Sequence, residues 1–328
     1  MIRFHVSARR AVIVLSVVLA VGGCVSQLNG GTASSAVVVP HPAATAVPHS
    51  TGCGKVPPVG ATDLTAPGDV PRNITVGRQQ RIYRLGVPSS YKQNNPAPVV
   101  LNLHGYGSNA VQQTLYTDMP MQAAKKGFIT VTPDAVGGVW QLSGTGSDDV
   151  FLTGLLKYVE SSYCVNLKAV YAVGFSLGAW KVAVTACTHP GRFASIALVA
   201  VEVHPAKCGP ISVVAFHGTA DPVVPYGKGS DPGVVVTGPN AHLPGVSVNM
   251  PQWAKGAGCS VHKETKKIGA DVEHWSYRKC PSGRSVEFYS IKHGRHTWPG
   301  SYFKFPGTTQ TIHATKIALA FFEAHPKR

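Results

Sequence analysis

The segment Gly174-Phe175-Ser176-Leu177-Gly178 joins an apolar run over residues 169–175 to a helical pattern over residues 177–187. A chain that passes from strand to helix within so few residues must turn sharply, and the flanking glycines remove the Cβ atoms that would obstruct the turn. Such a turn lifts the Ser176 hydroxyl to the carboxyl edge of a sheet and sets it at a helix N-terminus. A serine that merely caps a helix would need neither glycine.

The rest of the chain repeats this alternation. Residues 81–87 alternate as a strand does, 98–103 form an apolar run ending at His104-Gly105, and 128–132 are β-branched. Residues 193–201, 211–216, 274–278 and 286–291 add further strand candidates. Between them, Phe151, Leu155, Val159 and Tyr163 recur every four residues in a helix expected over 148–164, and a last helix is expected over 311–324 before Pro326. Strands alternating with helices call for an α/β fold, a mostly parallel central sheet with helices on both faces. The chain has 328 residues, 44% apolar and 14% charged, which suits one large globular domain rather than a disordered polymer. A single catalytic domain is expected over 53–328, with a surface excursion over 227–245 near its site.

A serine hydroxyl attacks poorly until a base takes its proton, so the turn predicts a histidine and an acid further along the chain. The run 211–216 ends in His217-Gly218-Thr219-Ala220-Asp221-Pro222, which puts Asp221 in a loop at a strand's carboxyl end, with Asp231 in reserve. The last strand leads into His293-Gly294-Arg295-His296-Thr297-Trp298, and His296 is the expected base, His293 the second choice. The negative intermediate of such an attack needs two N–H donors. Leu177 supplies one from the turn, and Tyr106, in His104-Gly105-Tyr106-Gly107, the other. Trp140, Trp298 and Tyr106 are candidate walls of an apolar pocket. Gly105 to Ala110 also fits a dinucleotide fingerprint, but the acid after the next strand, Asp134, comes later than the spacing of about 20 residues that fingerprint expects. No cofactor and no metal is expected; a zinc site of Cys280, His293 and His296 lacks any Cys-x-x-Cys pair to support it.

The N-terminus predicts export. Arg3, Arg9 and Arg10 precede an apolar run over 11–21 that ends in Val21-Gly22-Gly23-Cys24. This matches a lipoprotein signal over 1–23 with Cys24 acylated, which would tie the chain to a lipid membrane. A flexible tether is expected over 24–52, rich in Ala, Ser, Gly and Pro. Beyond the first 25 residues no apolar run approaches the roughly 20 that a membrane span needs. Apart from Cys24, six cysteines remain, an even set that reads as disulfides in an exported protein. Of the fifteen pairings six cysteines allow, Cys53–Cys164, Cys187–Cys208 and Cys259–Cys280 are expected. The formal charge of +15 suits anionic surfaces, while no nucleic-acid motif accompanies it, so nucleic acid is not an expected partner.

Taken in order, these blocks resemble the secreted esterases of the polyhydroxybutyrate depolymerase and feruloyl esterase type. The resemblance runs from Thr51-Gly52-Cys53-Gly54-Lys55 through Asp148-Asp149-Val150, Tyr163-Cys164-Val165, Tyr171 to Ser176 and His217 to Asp221, ending at His296-Thr297-Trp298-Pro299-Gly300. It implies an α/β-hydrolase fold with Ser176, Asp221 and His296 as a triad, no cofactor, and an ester as substrate: short hydroxyalkanoate oligomers, feruloyl or acetyl esters. An envelope acyltransferase and a non-catalytic binding lipoprotein are the other readings of the same scaffold. Where the family often has a small residue or Asn and then Gly-Gly after the serine, this chain has Leu177-Gly178-Ala179-Trp180, which implies bulkier surroundings.

Overall fold

In chain order the strands are β1 (Val70–Val76), β2 (Gln79–Gly86), β3 (Ala97–Leu103), β4 (Ile129–Pro133), β5 (Val165–Phe175), β6 (Ser195–Val199), β7 (Ser212–Gly218), β8 (Lys263–Ile268), β9 (Val272–Tyr277) and β10 (Val286–Ile291). The computed structural model describes residues 47–58, 70–227, 231 and 238–328. The expected signal segment, Cys24 and most of the tether lie outside these residues. The strands join in one sheet, ordered β1-β2-β4-β3-β5-β6-β7-β10-β9-β8. From β4 to β10 in that order neighbours run parallel; β1 and β2 at one edge, β9 and β8 at the other, pair antiparallel. The central strands β6 and β7 are buried at every residue, which is why they read as unbroken apolar runs rather than alternating ones.

Helices α1 (Ala110–Thr117), α2 (Met119–Ala124), α3 (Ser147–Ser162), α4 (Leu177–Thr188), α5 (Val246–Ala257) and α6 (Ala314–Ala324) complete the fold. Phe151 and Leu155 of α3, Val182 of α4 and Trp253 of α5 pack into one core. Met119 of α2 and Leu319 and Phe322 of α6 pack into the other, against Tyr171 and Val173 of β5. The fold is the α/β arrangement that the strand–helix alternation predicts.

Several elements lack a sequence signature. β8 is a chain edge with five of its six residues exposed, so it carries no apolar alternation, and its lysines, Lys263, Lys266 and Lys267, discourage pairing with another chain. α5 contains Pro251, which reads as a breaker. The last helix begins at residue 314, not 311, because the hydroxyls of Thr309 and Thr311 both donate to the Asp271 carboxylate, 2.5 Å away, and hold that stretch out of the helix. β6 ends before residue 200, where Ala200 turns with φ 62°.

Residues 49 and 50, within the stretch expected as tether, are instead fixed to the fold. His49 bridges Asn166, and the buried Ser50 hydroxyl donates to Tyr163 O and accepts from Val165 N–H. Disulfides join Cys53 to Cys164, Cys187 to Cys208 and Cys259 to Cys280, the three expected pairs. Three such bridges suit an oxidising compartment outside the cytosol. No helix among the described residues is long and apolar enough to cross a membrane. Asp148, in the first turn of α3, is buried and accepts from Arg81 Nη2 at 2.7 Å.

Candidate active site

Ser176 occupies the turn between β5 and α4 with φ 54° and ψ −122°, a positive-φ conformation that costs a non-glycine residue about 1–3 kcal/mol. The two glycines explain how the turn closes. A Cβ on Gly174 would lie 2.4 Å from the Gly178 carbonyl, and one on Gly178 would lie 2.4 Å from the carbonyl oxygens of Leu103 and His104. The α4 N-terminus therefore packs directly on the end of β3. Leu177, first in α4, has an N–H with no helical acceptor, next in the chain to the serine.

His296 Nε2 lies 2.8 Å from Ser176 Oγ, and His296 Nδ1 lies 2.7 Å from Asp221 Oδ2. Three residues far apart in the chain thus meet in the order hydroxyl, imidazole, carboxylate. This order lets a proton leave the hydroxyl while the resulting imidazolium is held by the acid. The reserve candidates do not join them: His293 Nδ1 sits 2.8 Å from Asp231 Oδ2 in a hydrogen bond, with His293 exposed. Cys280 is bonded to Cys259, so its sulfur is not a free thiolate for the zinc alternative.

The carboxylate has a second histidine behind it. Fully buried His217 places Nε2 3.2 Å from the same Asp221 Oδ2 and Nδ1 2.6 Å from Glu202 Oε2. Glu202 Oε1 accepts from Asn249 Nδ2 at 3.1 Å, and Asp221 Oδ1 accepts from the N–H groups of Val223 and Val224. Burial opposes a charge on His217, but Glu202 and Asp221 outweigh it and push the imidazole up to about 10. Burial alone would raise the Asp221 carboxyl; the neighbouring imidazoles of His217 and His296 hold it well below the usual carboxylate range. Asp221 thus stays ionised and fixed. Sequence reasoning missed His217 and Glu202, although His217 opens the very block that pointed to Asp221.

The turn carrying Tyr106 is braced from below. His104 is buried; its Nε2 accepts from Ala135 N–H at 3.0 Å, so Nδ1 carries the proton and donates to Gly105 O at 2.7 Å. Burial lowers the affinity of this imidazole for a second proton. Trp140 Nε1 donates to His104 O at 2.9 Å, locking the same turn.

Two cavities meet at Ser176. One, of about 470 Å³, is lined by Tyr116, Phe175, His296, Phe303 and Phe305 among others. The second, of about 570 Å³, is lined by Trp140, Leu142, Leu177, Trp180 and Leu243. Tyr106, Ser176 and Val223 border both. The expected bulk after the serine is present: Leu177 and Trp180 form a wall of the second cavity, and Asn240 and Leu243 bring the described end of the 227–245 excursion to it. Trp298, expected at the pocket, is instead core. It is fully buried, its Nε1 donates to Thr315 Oγ1 at 3.1 Å, and it packs edge-on behind Phe175. Its N–H donates to Tyr116 Oη at 2.8 Å, so it anchors the His296 loop to α1.

No protein-family model matches the chain. It is 29% identical over 224 residues to feruloyl esterase B of Piromyces equi, across 64% of this chain and 41% of that protein. It is 26% identical over 331 residues to the putative esterase NocK of Nocardia uniformis, across 90% of this chain and 91% of that one. Among solved structures, acetyl xylan esterase from Aspergillus awamori aligns with a TM-score of 0.56 at 16% identity, over 78% of this chain and 99% of that chain. The chain has an α/β-hydrolase fold, and the relatives it resembles are named esterases. The resemblance to feruloyl esterases extends to relatives from several fungi, including probable feruloyl esterase C of Aspergillus niger, 28% identical over 62% of this chain. Within this α/β-hydrolase the serine turn follows β5, the acid follows β7 and the histidine follows β10.

Proposed function

We propose that this α/β-hydrolase is an exported serine carboxylesterase acting on feruloyl, acetyl or short hydroxyalkanoate esters. Ser176 Oγ attacks the ester carbonyl carbon as His296 Nε2 takes its proton, and Asp221 orients the imidazole and balances its charge. The N–H groups of Leu177 and Tyr106 hold the oxyanion. His296 returns the proton to the departing alcohol, and water then releases the acid from Ser176. The observation that carries this reading is the 2.8 Å approach of His296 Nε2 to Ser176 Oγ with Asp221 2.7 Å behind, at the meeting point of two cavities. Export accords with the three disulfides, and acylation at Cys24 is the proposed anchor; metabolic labelling with a fatty acid should mark the wild type and not Cys24→Ser. The catalytic reading is tested with p-nitrophenyl acetate and butanoate. Ser176→Ala should lower turnover by about four to six orders of magnitude. Turnover near the wild-type level in that variant refutes it.

A further inference from the structure

The two cavities are not equivalent with respect to the proton relay. Among the described residues, His296 lies on the wall of the Tyr116 cavity and is absent from the wall of the Trp140 cavity. Ester cleavage breaks the bond between the carbonyl carbon and the alcohol oxygen, and that oxygen must take a proton from His296 Nε2. A proton donor has to be within hydrogen-bond reach of its target. The alcohol therefore leaves on the histidine's side. The acyl carbon stays bonded to Ser176 Oγ, with Leu177 N–H on its other flank, and its chain is left facing the Trp140 cavity.

Resting on the esterase reading above, we infer that the Trp140 cavity holds the acyl chain, the Tyr116 cavity holds the alcohol, and the preferred substrate is an ester apolar on both sides. Each cavity is of small-ligand size, within about 300–1,000 Å³. The acyl side is walled by Trp140, Leu142, Trp180, Val201 and Leu243, with Asn240 at its rim. On the alcohol side the rings of Phe175, Tyr116 and Phe305 follow one another at centroid separations of 5.4 and 5.9 Å. Of the polar side chains there, Gln113 is buried and its Nε2 donates to Asn102 Oδ1 at 2.9 Å, while Ser108 Oγ donates to its fellow lining residue Gln112 at 2.8 Å, which leaves the Gln112 amide as the main polar group at the rim. A hydroxyl-rich alcohol such as a sugar would lose its hydration there with few groups to replace it. An aryl or alkyl alcohol would gain contact with the ring wall.

The test uses two ester series on the full chain. In the first, phenyl is fixed and the acid runs from acetate to octanoate; in the second, butanoate is fixed and the alcohol is ethanol, octanol, benzyl alcohol or glycerol. Each buried methylene should raise kcat/KM about fourfold until a cavity fills, in both series. Leu243→Trp, with Leu142→Trp as a second variant should the first misfold, should lower the octanoate-to-acetate ratio of kcat/KM at least tenfold. Neither should move the octyl-to-ethyl ratio more than twofold. Leu115→Trp, at the mouth of the Tyr116 cavity, should do the reverse. Crossed effects, or glyceryl butanoate turned over as well as the octyl ester, overturn the assignment while leaving the esterase reading intact. A wild type that cleaves none of the esters, or does so undiminished as Ser176→Ala, defeats the esterase reading and this inference with it.

Discussion

Replacing His217 by Gln tests whether the site is held by a buried cation. His217 is inaccessible to solvent and lies between Glu202 and Asp221, and its imidazole is raised from 6.5 to about 10. A raised native value means that the folded state holds the proton more tightly. Below pH 6.5 both states are protonated and the stabilisation is complete. As pH rises from 6.5 through about 10, the unfolded chain has lost its proton while the native state still keeps it, so the stabilisation is lost. Each tenfold gain in proton affinity on folding is worth about 1.4 kcal/mol, so the whole effect is at most about 5 kcal/mol. Gln at this position cannot titrate, and it leaves two buried carboxylates without their cation, a change that costs about 3–5 kcal/mol. Other groups also titrate over this range, so the informative quantity is the stability gap between wild type and His217→Gln. Urea unfolding at pH steps from about 6 to about 10 measures it. The gap should shrink by several kcal/mol across the window. A gap that stays constant, or widens with pH, refutes a protonated His217.

Trp298→Ala should destabilise the fold by about 3–5 kcal/mol and lower kcat, because the indole anchors the His296 loop. It should leave the acyl-chain preference of kcat/KM as in the wild type, since Trp298 borders neither cavity. Gly178→Ala drives a Cβ onto the carbonyl oxygens of Leu103 and His104, and thermal melting should show a loss of about 3 kcal/mol or more. Reduction of Cys53–Cys164, which links residues 111 apart, should cost about 4–5 kcal/mol on the chain-entropy view, read by urea unfolding of a Cys53→Ser/Cys164→Ser variant.

What was legible in the sequence follows from how local each constraint is. The serine turn is a local event, because two glycines must yield their side chains to a neighbouring backbone, and that need is written within five residues. Asp221 and His296 could be read because each follows an apolar strand whose burial on both faces leaves little ambiguity. His217 and Glu202 are 15 residues apart and meet only because β6 and β7 are neighbours in the sheet, so nothing in the sequence distinguishes that histidine from a surface one. Trp298 is similar. Two residues from His296 it reads as a pocket wall, yet its indole partner Thr315 lies on α6. β8 and α5 escaped for a different reason: an exposed edge of lysines and a proline within a helix both break the apolar periodicity that marks an element.

The most direct measurement is the mass of the intact protein, quenched in acid within milliseconds of mixing with phenyl butanoate, followed by peptide mapping. The protein should gain one butanoyl group, carried on the peptide containing Ser176, and Ser176→Ala should gain none. Ester cleavage with no such adduct in the wild type, together with equal cleavage by Ser176→Ala, would contradict the assignment of that hydroxyl as the attacking group.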